Sequence, residues 1–195
     1  MARMSLNEKS TVYSPEDRQT LLQIARSSIR HGLEKGQSLV IKAADYPARL
    51  QEDRATFVTL TINDMLRGCI GTLEANRPLV QDVAGNAYAA AFCDPRFPPL
   101  AEHEYDKLSI HISVLSPTEP INFNSEEALL KMIRPGIDGL VLQEGRFRGT
   151  FLPSVWEQLP DRRDFLRHLK LKAGLRPDYW SDTIEIQRYT TEIIE

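Results

Sequence analysis

The chain has 195 residues, 42% hydrophobic and 26% charged, with a formal net charge of −3. That length suits one domain, or two lobes sharing a core, and the composition is that of a globular protein. The mild acidity argues against a dedicated nucleic-acid binder, which carries a basic excess, and no run of about 18 apolar residues predicts a membrane span.

Residues 1–13 are short, polar and terminal, and are expected to form a flexible tail before one domain over 14–195. They lack the apolar stretch of a secretory signal, so the expected location is cytoplasmic. Ser14-Pro15-Glu16-Asp17 reads as a helix start, with Ser14 as cap and the acids at the positive end of the dipole. Leu22, Ala25, Ile29 and Leu33 give that helix an apolar stripe, and Gly36 follows its end.

Ala55 to Ile62 is β-branched and alternating, hence a strand. Asn63-Asp64 makes the turn and Met65 to Leu73 returns as a second strand. Pro78 opens a helix whose stripe of Val80, Val83, Ala84, Ala87 and Ala91 is small enough to sit close to whatever it covers. Cys93 to Pro99 is a proline-stiffened turn. Lys107 to Val114 alternates strictly and is a strand, broken by Pro117 and Pro120.

Ser125 starts a short helix through Ile133. Leu140–Leu142 and Phe147–Leu152 form a hairpin around Glu144-Gly145. A short helix over Pro153–Gln158 precedes a longer one over Asp161–Ala173, stopped by Gly174. Thr183 to Ile194 is a last strand. Hairpins separated by helices favour an α+β fold with a mostly antiparallel or mixed sheet flanked by helices.

The segment Leu66-Arg67-Gly68-Cys69-Ile70-Gly71-Thr72 stands out. Two glycines weaken a strand and need a reason, either a bulge or the close approach of a backbone or ligand. Arg67 and Cys69 share the odd face, where a cation lowers the pKa of a thiol and makes it a nucleophile. A bulged strand with a buried structural cysteine is the more common use of such a pattern. On the strand after Lys107, Ser109, His111 and Ser113 form the polar face. His111 there is a general base or a donor to an anion, or simply faces solvent. Were the two strands neighbours, Arg67, Cys69 and His111 would line one cleft and allow nucleophilic catalysis.

Asp94-Pro95-Arg96 holds two charges in a rigid turn, either to bind substrate or to staple the turn. Thr150, beside Gly149, is a weaker candidate. The helix with Arg162, Arg163, Arg167, His168, Lys170 and Lys172 is basic and suits RNA, but Asp161 and Asp164 interleave, as on a solvated face. Two lone cysteines spell neither a disulfide scaffold nor a metal centre. No phosphate-binding loop, dinucleotide fingerprint or His-Glu-x-x-His motif is present. No cofactor and no metal is expected.

Leu66–Thr72, Ala90-Ala91-Phe92-Cys93-Asp94-Pro95-Arg96-Phe97-Pro98-Pro99, Ser113-Val114-Leu115, Gly149-Thr150-Phe151-Leu152-Pro153 and Lys172-Ala173-Gly174 together resemble the AMMECR domain family. The resemblance runs from about Ser14 to the last residue and is closest to the bacterial form of the AmmeMemoRadiSam system. It implies an α+β fold with a barrel-like curled sheet and two lobes with a cleft. It implies that Leu66–Gly71 is the functional site, and that a Memo-like protein and a radical-SAM protein are partners.

Three functions follow in order. The first is an enzyme or enzyme component with Cys69 and His111 catalytic. Arg67 and Arg96 would orient an anionic group, with Gly68, Gly71, Thr72, Asp94 and Thr150 also binding. The second is a non-catalytic scaffold whose glycine-rich strand accepts a partner segment. The third is RNA binding through the basic helix.

Overall fold

The computed structural model describes residues 12–195. In chain order the elements are α1 (Pro15–Lys35), β1 (Thr56–Ile62), β2 (Met65–Gly71), α2 (Leu79–Phe92), β3 (Ser109–Leu115) and β4 (Glu119–Pro120). There follow α3 (Glu126–Met132), β5 (Gly139–Glu144), β6 (Phe147–Phe151), α4 (Arg162–Lys172), β7 (Glu185–Tyr189) and β8 (Thr191–Ile194). The fold is α+β. The chain divides into two compact units, one running to Val114 and taking in Glu192–Glu195, the other spanning Leu115–Thr191.

In the first unit, Ser14 accepts from the Asp17 backbone while the Asp17 carboxylate accepts from Ser14, so α1 starts with a reciprocal cap. Gly36 ends it at φ 70°, a left-handed conformation that glycine adopts without strain. Its buried stripe centres on Leu21, Ile24, Ala25, Ser28 and Ile29, with Leu22 and Leu33 at the margin. Fully burying a side chain such as Leu21 or Ile29 contributes about 1.5–3 kcal/mol. Tyr13, expected in the tail, is buried in this core; residues 1–11 of that tail lie outside the described residues.

The first sheet has the order β2-β1-β3-β8, with β1 antiparallel to both β2 and β3. Asn63 and Asp64 both take positive φ, as a tight two-residue hairpin turn requires. Val58, Leu60, Ile110 and Ile112 face the core, where α1 and α2 also pack. The sheet is open, with β2 and β8 at its ends, and shows no barrel closure.

The second unit has its own core and an open sheet of order β4-β7-β5-β6. Trp156 stacks on Phe165 at 3.7 Å between ring centres. Strand β3 ends at Leu115, before Pro117, and Pro120 sits in the separate two-residue edge strand β4, where its missing N–H costs no ladder bond. The single last strand expected over 183–194 is two strands. The chain leaves one sheet at Tyr189 and joins the other at Thr191. Alternation along 183–194 reads the same whichever sheet each half joins.

Candidate functional site

The site is built on β2, an edge strand. Its register with β1 slips between Leu60 and Thr61: Gly68 faces Leu60, yet Leu66 faces Thr61. Arg67 is the extra residue of a β-bulge, one of the two reasons expected for glycines here. Close backbone approach is the other. A Cβ on Gly68 would lie 2.0 Å from the Ala90 carbonyl oxygen of α2, so the small-residue helix sits on the strand itself. A Cβ on Gly71 would meet the Phe57 ring at 2.3 Å. A neighbouring backbone and a ring, both parts of the fold, occupy the space these glycines leave.

Cys69 faces Thr59 on β1. Thr72 N–H donates to Thr56 O, so hydrogen-bonded pairs alternate from Thr56 and Thr72, and Thr59–Cys69 is a non-bonded pair. The N–H and C=O of Cys69 therefore point away from the sheet. The Asp94-Pro95-Arg96 turn receives both. Cys69 N–H donates to Asp94 Oδ2 at 2.9 Å, and Arg96 Nη2 donates to Cys69 O at 3.2 Å. Arg96 also grips Asp94 through Nε and Nη2, at 2.9 and 2.7 Å. The ion pair takes the place of a neighbouring strand at this one residue. The Arg96 guanidinium and the Cys69 and Arg96 amides hold the Asp94 carboxyl well below the usual carboxylate range. Cys69 thus offers no vacant backbone pair for an added partner strand.

Arg67 is not the cation beside Cys69. It is buried, and binds Glu104 through Nε and Nη2 at 2.8 and 2.9 Å and Pro98 O through Nη2. Glu104 lies in the 3-10 turn Glu102–Lys107, and Arg67 together with the Ala101 amide lowers its pKa to about 2. Arg96 is the exposed arginine of the site, its side chain 54% accessible.

The strands carrying Cys69 and His111 are not neighbours, as direct pairing of the two groups would need. Strand β1 lies between them, and Thr59 faces both residues. Directly opposed residues share a face, so Cys69, Thr59 and His111 form one row across three strands. The two ends of the row are roughly 10 Å apart along the sheet, two strand spacings. Thr59 Oγ1 is 3.2 Å from Cys69 Sγ. His111 Nδ1 pairs with the Glu195 carboxylate at 2.9 Å, which fixes the ring. Thr59, Glu104 and Glu195 were not singled out from the sequence: each is an ordinary strand or turn residue until its neighbour is known.

Two other expected residues lie elsewhere. Thr72 donates to Asp82 on α2, a nearly inaccessible carboxylate that also takes Thr56 N–H, Thr56 Oγ1, Arg77 Nε and Asn86 Nδ2. Thr150 belongs to the second unit, where its hydroxyl donates to Leu140 O. The basic helix α4 spends its charge locally. Arg163 pairs with Glu127, Arg167 with Asp164, and Lys170, fully buried, with Glu126. Lys172 lies over the Phe151 ring. This is an ion-paired face rather than a phosphate-binding stripe. Among the described residues, no group of three or more His, Cys, Asp or Glu is placed to hold a metal, and no helix is long and apolar enough to cross a membrane.

The AMMECR1 family model matches residues 22–194. The chain belongs to the AMMECR1 family. A protein of Methanothermobacter thermautotrophicus is 36% identical over 182 residues, covering 92% of this chain and 94% of that one. A protein of Methanocaldococcus jannaschii is 39% identical over 178 residues, covering 89% and 87%. A crystal structure of a Pyrococcus horikoshii protein, 36% identical, superposes with a TM-score of 0.79 over 89% of this chain and 88% of that one. These relatives are archaeal. The α+β fold and the open antiparallel sheets described above agree with this family membership.

Proposed function

We propose that this AMMECR1-family protein is an enzyme or enzyme component whose reactive group is the Cys69 thiol. The observation that carries this reading is the mounting of Cys69. Its backbone is fixed on both outward groups by Asp94 and Arg96, and its sulfur is left beside Thr59 at 3.2 Å. The clamp holds the residue in place, and the sulfur it carries is only partly buried. His111, oriented by Glu195, lies in the same row and too far for direct proton exchange with the thiol. It serves as acid or base toward a substrate lying across Thr59. The Phe57 ring, seated over Gly71 on the same face, walls one side.

The reading includes the bacterial AmmeMemoRadiSam assignment and a cytoplasmic setting, where both thiols stay reduced. It includes a Memo-like and a radical-SAM partner, the latter supplying any radical chemistry. The test is alkylation of Cys69 by iodoacetamide between pH 6 and 10 in a Cys93→Ser chain, read by intact mass. The expected result is a single modification in the folded protein, rising along one titration. A thiol that reacts only after unfolding overturns the nucleophile role.

A further inference from the structure

We infer that Arg96 makes this site selective for small anionic substrates, carrying a carboxylate or phosphate next to the carbon that Cys69 attacks. The inference rests on the reactive-thiol reading and deepens it.

Two arginines flank Cys69, and the structure separates their tasks. Arg67 is buried, bidentate on Glu104 and bonded to Pro98 O. Its charge is neutralised at the point where it sits. Arg96 is anchored as firmly, through Nε and Nη2, but on one edge of the guanidinium. Nη1 has no partner among the described residues, and the side chain is 54% accessible. The same group reaches Cys69 O at 3.2 Å, so the free edge is fixed within a residue's width of the sulfur.

An arginine whose rotamer is already held loses little entropy on binding. Its planar donors match carboxylate and phosphate oxygens. Around it, Thr59, Thr61, Ser109 and Ser113 share the face of Cys69, and no carboxylate from β1, β2 or β3 lies on that face. Glu195 stands beyond β3, already paired with His111. Asp94 offsets the charge of Arg96, but its carboxylate is buried behind the guanidinium, so the group that faces a ligand at the Cys69 end is the free edge of Arg96.

The test uses two alkylating agents of nearly equal size, neutral iodoacetamide and anionic iodoacetate, on the Cys93→Ser chain. In both, the thiolate forms the new S–C bond at the methylene carbon and iodide leaves with its electron pair. The measured quantity is the rate ratio of iodoacetate to iodoacetamide at Cys69, referred to the same ratio for the unfolded chain. The expected ratio is about two-fold above the unfolded reference at low salt, less than the effect of one isolated unit charge a few ångströms away because Asp94 offsets part of it. It should fall to one or below in Arg96→Gln, where Asp94 loses its counter-ion, be largely kept in Arg96→Lys, and shrink with added salt.

A ratio that is unchanged in Arg96→Gln while Cys69 still reacts overturns the inference and leaves the reactive thiol standing. Cys69 inert to both reagents overturns the reactive-thiol reading instead. The anion site is then read by a second arm, inorganic phosphate raising the melting temperature of the Cys93→Ser chain. That rise should be absent in Arg96→Gln, and a rise equal in both proteins overturns the inference.

Discussion

Two aspartates at opposite ends of α2 use the same chemistry to different ends. Asp82, in the first turn, gathers the Thr56 backbone, the Thr56 and Thr72 hydroxyls, Asn86 and Arg77. Asp94, just past the last turn, gathers the Cys69 backbone and Arg96. Each is buried, each binds a strand amide and each holds an arginine. At Asp82 the neighbours other than Arg77 are hydroxyls, an amide and backbone, and Arg77, 41% accessible, packs against α2 over Gly85. At Asp94 the strand residue is a cysteine and the arginine stands half in solvent. The first is a staple that joins α2 to the sheet. The second closes a sheet edge and, in doing so, mounts a thiol beside a cation.

That contrast predicts unequal responses to the same substitution. Asp82→Ala strands the buried Thr56 amide and removes the acceptor shared by the Thr56 and Thr72 hydroxyls, Asn86 and Arg77, and should cost about 2–4 kcal/mol. Asp94→Ala releases the Cys69 and Arg96 amides, while the exposed Arg96 side chain turns to water, and should cost about 1–3 kcal/mol. Urea unfolding monitored by circular dichroism measures both. Equal losses would remove the distinction between staple and mount.

Acid should sharpen the comparison with a smaller effect. The pKa of Glu104, like that of Asp94, is lowered by folding, so its stabilisation is complete above its ordinary value and fades as pH falls through the lowered one. For Glu104 the window runs from about 4.5, its ordinary value, down to about 2. Stability of the wild type should fall through this range, and Glu104→Gln should make the fall shallower. An unchanged acid slope would mean that the Arg67–Glu104 pair, which supports the bulge, gains nothing from folding.

Much of the frame was legible in the sequence because it rests on local rules. The Ser14 cap, the Asn63-Asp64 turn, the alternation of β1 and β3 and the small stripe of α2 each follow from neighbours a few residues away. Strand order did not follow. The alternation of Met65–Leu73 and Lys107–Val114 is the same whether or not β1 separates them, so His111 was expected nearer Cys69 than it is. The bulge at Arg67 also breaks the odd–even rule that set Arg67 beside Cys69. The buried network on α2 does leave a mark in the sequence. Asp82 and Asn86 stand four residues apart on the buried face of an apolar helix, where a polar pair must have partners.

Hydrogen exchange of the Cys69 amide reads out whether Asp94 and Arg96 close the edge of β2 at Cys69. An unpaired edge amide exchanges freely, whereas one bonded to a buried carboxylate does not. The Cys69 N–H should be protected in the wild type and lose that protection in Asp94→Ala, with the β1 amides unchanged. A Cys69 amide that exchanges at the same fast rate in both proteins would contradict that closure.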